Sequence, residues 1–273
     1  MSETTTTPTV AKPGVKTGRW RRRRYLGLIL YKTYAELRAE SSRTYLGFVW
    51  WVAEPLLSMA VYYFVFKFIL NYGTENYAIF LIVALIPWRW FSAGIMHGAQ
   101  AILGARSLMQ QVYLPKVVLP IVSLLSDTFK FAVILLVLVP FLALVGFPPG
   151  RAYLALPIVI FTQGVFTAGL TLLCAATTPF LPDMRMVLDS LLRLWFFVSG
   201  IFHPVDGLSE HAQFFLRLNP MTNIIEAYRD VLLEGQWPDL SRLGTTVLVS
   251  VLLMVIGERL IRRLDFQYPK ISR

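Results

Sequence analysis

The sequence predicts an all-α integral membrane protein. It has six transmembrane helices, an N-terminal amphipathic interface helix, and short outer-side helices between spans five and six. Three observations carry this. Hydrophobic residues make up 56% of the 273 and charged residues only 15%, against about 25% charged in soluble domains. Six stretches stay apolar over about 20 residues, the length a helix needs to cross a bilayer. Lys and Arg crowd one set of flanks and are scarce on the other.

The elements follow in order. Residues 1–24 are rich in Thr, Pro and Lys without apolar periodicity and read as a disordered basic cytosolic tail. They do not form a signal peptide, because the apolar run Leu26 to Tyr34 is short and no small-residue cleavage site accompanies it. "RWRRRR" at 19–24 suits a topology signal and anchor to anionic lipid, or capture of a pyrophosphate-linked lipid. Residues 25–45 are expected to form the interface helix. Leu26, Ile29, Leu30, Tyr34 and Leu37 share one face, while Lys32, Glu36, Arg38 and Glu40 fall elsewhere.

The transmembrane domain covers 46–263, with spans at 46–70, 77–98, 118–146, 153–178, 186–203 and 241–261, and a cytosolic tail at 264–273. Asp189 and Arg193 interrupt the fifth span but sit four apart, so they can pair on one helix face. The loop 99–117 is too polar to span; Ala101 to Tyr113 is expected as a short helix stopped before Pro115. In the outer connection 204–240, Asn223 with Glu226 resembles a helix start. Ile224, Tyr228, Val231 and Leu232 then line one face.

Orientation follows from the basic flanks. Residues 1–45 hold ten Lys and Arg; Arg259, Arg262, Arg263, Lys270 and Arg273 lie at the other terminus; Arg106, Lys116 and Arg185 occupy loops on the same side. The opposite side holds Arg151, Arg217, Arg229 and Arg242. Eighteen against four places both termini in the cytoplasm.

The chain shows no engine of its own. Cys174 is its one cysteine, so no intramolecular disulfide forms. His97, His203 and His211 are scattered and expected at helix ends or in loops, and no metal-ligand set exists. There is no G-x-x-x-x-G-K-[ST], G-x-S-x-G or H-E-x-x-H. An enzyme is disfavoured, no nucleic-acid partner is expected, and the lack of an internal repeat disfavours an inverted-repeat carrier. A pore, or the membrane half of a pump driven by another chain, remains.

Glu54 beside Pro55 is the oddity of span one. A charge inside a bilayer faces protein or water, not lipid. Glu54, Ser58 and Tyr62 are spaced by four, with Trp51 and Phe66 close by, so carboxyl, hydroxyl and rings share a helix face. Sugar C–H faces pack on rings and sugar hydroxyls need hydrogen-bond partners, so the face suits a sugar path. The plainer alternative is that Glu54 pairs with a neighbouring helix or headgroup. Trp195, Phe196 and Phe197 form an aromatic block in span five that can pack or line a path. Lys67 and Arg89 are expected to snorkel outward, and Asp127 can pair with Lys130 three residues on.

Several segments resemble the membrane subunits of type-2 ABC exporters. "SSRTYLGFVWWVAEPLLSMAVYYFVF" is similar to the Tyr-x-x-(Ser)-x-Leu-Gly-x-x-Trp-x-x-x-x-Pro segment that opens their first span. "SLMQQVYLPKVVLPI" resembles their cytosolic Val-Tyr-(Phe/Leu)-Pro-(Lys/Arg) segment. "FFVSGIFHPVDGL" and "LNPMTNIIEAYRDVLLEG" resemble their outer-side segments. The similarity runs from about residue 30 to the end and is greatest to the polysaccharide-export branch, whose permeases serve O-antigen, capsular polysaccharide and wall teichoic acid.

The resemblance implies a homodimer in the bacterial inner membrane, bound by two ATPase subunits that carry ATP and Mg, with no cofactor in this chain. It implies a lipid-linked polysaccharide as cargo, moved from the cytoplasm to the outer face. Within it, residues 102–116 are expected to dock the ATPase through Arg106, Leu108, Met109, Gln110 and Tyr113. Arg38 and Arg43, near the start of span one, are candidates for the lipid phosphate. A permease for a small drug or antibiotic, or for teichoic acid, is the alternative.

Overall fold

The computed structural model describes residues 18–42, 45, 47–69, 76–111, 115–181 and 183–268. The expected tail at 1–17, Arg43 and Tyr113 lie outside the described residues, as do the side chains of residues 18–26, Phe66, Lys67, Leu108 and Gln110. Every described element is helical: α1 Gly18–Ser42, α2 Val49–Tyr63, α3 Tyr77–Gly104, α4 Arg106–Gln111, α5 Val118–Leu144, α6 Leu156–Thr177, α7 Met184–Phe197, α8 Glu210–Arg217, α9 Pro220–Arg229 and α10 Leu240–Leu264.

Four helical segments are long and apolar enough to cross a membrane: Tyr77–Gly104, Val118–Leu144, Arg151–Phe180 (α6 with its 3₁₀ turns) and Leu240–Leu264. Six had been expected. The first expected span is present as the 15 residues of α2, continued by a six-residue π-helix, Phe64–Ile69. The fifth departs from expectation: α7 has 14 residues, about 21 Å at 1.5 Å per residue, short of a hydrocarbon core of about 30 Å. It stops because Gly200 turns the backbone into the left-handed region at φ +67° and Pro204 follows.

α3 is the hub. Of its most apolar window 72% is buried, against 22% in α5 and in α10, so α3 packs among helices while the other two leave most of their surface exposed. Leu81, Val83, Ala84 and Phe91 of α3 are fully buried. α6 and α10 make the most extensive pairing, and small residues permit it. A Cβ on Gly257 would lie 2.7 Å from the Leu173 backbone nitrogen, and one on Gly169 2.8 Å from the Ser250 carbonyl oxygen.

Contacts order the two ends of the bundle. At one end Tyr77 Oη donates to the Phe202 carbonyl at 3.2 Å, Arg229 lies over Phe80, and Arg242 at the start of α10 pairs with Glu226. At the other, Lys116 at the start of α5 pairs with Asp265 at 3.5 Å, and Tyr268 Oη donates to the Ala176 carbonyl at 3.2 Å. α7 begins three residues after the 3₁₀ turn ending α6, and the chain beyond it reaches Tyr77 through Phe202. α7 and the following turn together therefore connect the two ends.

α1 starts at Gly18, within the segment expected to be tail. Its buried side chains are Thr33 and Leu37, with Ile29 half-buried in line with them; Leu30 and Tyr34, expected on the apolar face, are exposed. The reason is its neighbour. Glu36 and Glu40 meet Ser126 and Lys130 of α5, and that packing turns the 29–33–37 line inward.

The expected helix at Ala101–Tyr113 is divided: α3 continues to Gly104 and α4 is the separate short helix. The outer helix starts earlier than Asn223. Asn219 is the N-cap, accepting from the Met221 amide at 3.0 Å, because Pro220 is preset for the first helical position. Asn223 instead donates to the Arg217 carbonyl. The expected face of Ile224, Tyr228, Val231 and Leu232 is fully buried.

Candidate functional site

α2, α3 and α7 enclose a groove of about 710 Å³, lined by Glu54, Ser58 and Tyr62, by Leu85, Trp88, Arg89, Ser92, Ala93 and Met96, and by Asp189, Leu192, Arg193, Phe196 and Phe197. The four-residue spacing on α2 delivers Glu54, Ser58 and Tyr62 to one wall. Glu54 pairs with Arg89 of α3, so Arg89 does not snorkel outward. Arg89 Nη1 also donates to Ser58 Oγ at 3.3 Å, and Ser58 Oγ donates to the Glu54 carbonyl at 3.0 Å. On the α7 wall Arg193 donates to Asp189. Rings close the groove towards the Phe202 end: Tyr62 sits 5.5 Å from Phe196 and 5.4 Å from Phe202, and Trp88 is 5.5 Å from Phe196.

Of the eight expected path residues, Glu54, Ser58, Tyr62, Phe196 and Phe197 line this groove. Trp51 is buried beside it and lines an adjoining cavity of about 330 Å³ that shares Glu54 and Arg89. Trp195 turns the other way, edge-on to Phe91 at 5.2 Å, with Nε1 donating to Asn219 Oδ1 at 2.9 Å; it belongs to the core.

Beyond Trp51 lies a charge cluster. His97 is not at a helix end or in a loop as expected; it lies inside α3, and its Nδ1–H donates to the buried Asp127 carboxylate at 2.9 Å. Lys130 bridges Asp127 at 3.2 Å and Glu40 at 2.6 Å, so the expected Asp127–Lys130 pair forms within a larger network. Ser126 Oγ donates to Glu36 Oε2 at 3.3 Å. Burial pushes the Glu36 carboxyl upward, opposed by Lys32 and by the Ser126 hydrogen bond. Sequence reasoning missed Arg89 and His97 because their partners lie on other helices.

At the Tyr77 end of the bundle Arg229 is buried. It donates to the Gly200 and Ile201 carbonyls, each at 2.7 Å, with its guanidinium 3.4 Å from the Phe80 ring centre. It ties α9 to the turn that ends α7. At the opposite end α4 leaves Arg106 and Ser107 exposed, while Met109 packs on a cluster of Ile102, Leu119, Ile261 and Tyr268. Burial and the nearby Asp265 push the Tyr268 phenol up to about 12. Arg38 is exposed on α1.

Among the described residues no group of His, Cys, Asp and Glu is placed to hold a metal ion. The groove holds hydroxyls, paired charges and ring faces, the chemistry for binding and guiding a polar ligand. The sequence matches the ABC-2 type transporter family over residues 29–233. It is 32% identical over 233 residues to the O-antigen export system permease protein RfbA of Myxococcus xanthus, covering 84% of this chain and 89% of that protein. It is 24% identical over 245 residues to the protein of the same name from Klebsiella pneumoniae, covering 89% and 94%. It is 24% identical over 237 residues to the polysialic acid transport protein KpsM of Escherichia coli, covering 83% and 89%. The chain is a multi-pass membrane protein of the ABC-2 type transporter family.

Proposed function

We propose that this chain is the permease subunit of an ATP-driven exporter that moves a lipid-linked polysaccharide, of O-antigen or capsule type, from the cytoplasm across the inner membrane. The observation that carries the reading is the match, over more than four fifths of the chain, to permeases named for O-antigen export. The groove supports it with a polar, ring-faced path beside the central helix.

In this reading the chain crosses six times, with both termini cytoplasmic. The first pass is α2 with its π-helical continuation, and the fifth is α7 completed by the turn to Phe202. Two copies form the permease. Each engages an ATPase subunit through α4 and its flanks, with Arg106 and Met109 at that surface. ATP and Mg belong to the ATPase; this chain contributes no catalytic group. Trp51, Glu54, Ser58, Tyr62, Phe196 and Phe197 guide the glycan, and Arg38 meets the lipid phosphate.

Deleting the gene tests the reading. Lipid-linked polymer accumulating in the cytoplasm, with loss from the surface, is the expected result. Unchanged surface polymer together with sensitivity to a small toxic compound contradicts it and favours a drug permease.

A further inference from the structure

We infer that the glycan carried along the groove is uncharged: a neutral polyhydroxyl chain, without carboxylate or phosphate in its repeat. The inference rests on the polysaccharide reading above and concerns only the charge of that cargo.

Among the described residues, every charge lining the main groove has an opposite partner within it. Glu54 pairs with Arg89, and Asp189 with Arg193, so two guanidiniums meet two carboxylates. A site built for an anion leaves cations unmatched, as rings of Arg or Lys do in anion and phosphate pores. Clefts lined by one sign concentrate the opposite ion; a balanced cleft does not.

The adjoining cavities lean further from anions. The second adds Glu40 and Asp127 but only Lys130 and His97 to the shared pair. The third is lined by Glu36, Glu40 and Asp127 against Lys130 and His97. Among the described residues neither carries net positive charge, even with His97 protonated. The groove offers instead the Ser58 and Ser92 hydroxyls, the Tyr62 phenol and ring faces. Those are hydrogen-bond partners for sugar hydroxyls and apolar planes for sugar C–H faces. Paired carboxylate and guanidinium add acceptor and donor without net field.

The polymer that accumulates on gene deletion gives the first test. Uronic acid, sialic acid and phosphate should be absent from its repeat unit. A repeat that carries one of them overturns the inference and leaves the export reading intact. A deletion strain that accumulates no polymer instead removes the export reading.

The second test ties the preference to the residues. The full chain in lipid nanodiscs is titrated with galacturonate hexamer and with its carboxyl-reduced, neutral counterpart. Ionic strength is kept at about 0.01 M, where the screening length is about 30 Å. The unaltered chain should bind the neutral form at least as tightly. Glu54→Gln or Asp189→Asn, each leaving one guanidinium unmatched, should shift the ratio roughly tenfold towards galacturonate, and salt should abolish the shift. Asp189 is the safer position, since it lies on the exposed side of α7. Preference of the unaltered chain for galacturonate, or a ratio that neither substitution moves, overturns the inference. Binding of neither form by folded protein removes the groove as a glycan path, and the inference with it.

Discussion

Arg89 of α3 is held by Glu54 of α2 and by the Ser58 hydroxyl one turn further along the same helix. This contact joins α2 to the central helix α3 across the groove wall. It also accounts for an acidic residue next to Pro55. The carboxylate has a cationic partner, and the proline is buried in the middle of α2, where neighbouring groups can satisfy a freed carbonyl.

Separating Glu54 from Arg89 should impair export without unfolding the protein. Glu54→Arg or Arg89→Glu should each lower export. The exchanged pair, Glu54→Arg with Arg89→Glu, should restore part of it, giving a coupling of about 0.5–3 kcal/mol. Surface polymer per permease, quantified for the unaltered chain, both single variants and the pair, checks this; strictly additive losses count against the contact.

Arg229 should be the least replaceable residue of the outer segment. Its two nitrogens serve two carbonyls of the turn after α7 while its plane covers Phe80. Lysine, with a single ammonium, cannot reproduce that fork. Arg229→Ala should cost about 3 kcal/mol or more, because buried carbonyls lose a charged partner. Arg229→Lys should recover only part of the loss. Thermal unfolding in detergent reads both.

Gly257 tests the α6–α10 seam. Because the nearest atoms to an added Cβ are backbone, the neighbour cannot swing aside. Gly257→Ala should destabilise by about 1–3 kcal/mol, and Gly257→Val by more. Gly244, which has nothing within 4 Å of its Cβ position, should accept alanine with little change.

Docking of α1 on α5 should depend on pH through Glu36. Burial raises its carboxyl above the ordinary 4.5, so the folded state holds the proton more tightly than the unfolded one. The associated stability is full below the unfolded value and declines as pH rises through the raised one. Lys32, Ser126, Asp127 and Lys130 face the same carboxyl. Glu36→Gln should flatten this part of the profile, measured as the pH dependence of a disulfide cross-link engineered between α1 and α5.

The sequence made regular, local features legible. Spacing by four placed Glu54, Ser58 and Tyr62 on one wall, paired Asp189 with Arg193, and grouped the buried face of Ile224, Tyr228, Val231 and Leu232. What it concealed depends on neighbours distant in the chain. Arg89 and His97 look like lone polar residues until α2 and α5 supply Glu54 and Asp127. α1 was expected to turn Ile29, Leu30, Tyr34 and Leu37 to one apolar face, but packing on α5 buries the 29–33–37 line and leaves Leu30 and Tyr34 exposed. Trp195, Phe196 and Phe197 read as one block, yet consecutive helical residues point in different directions, so Trp195 enters the core while the other two line the groove. α7 ends at Phe197, short of the expected bound at 203, because Gly200 turns the backbone into the left-handed region just beyond it.

The central claim is that this chain guides a glycan but performs no work without a separate ATPase. The direct measurement is glycan movement in proteoliposomes that hold the chain alone, or the chain with the ATPase co-purified from its host. Lipid-linked polymer should cross only in the second preparation, and only with ATP and Mg supplied. Uphill movement by the solitary chain would contradict the account.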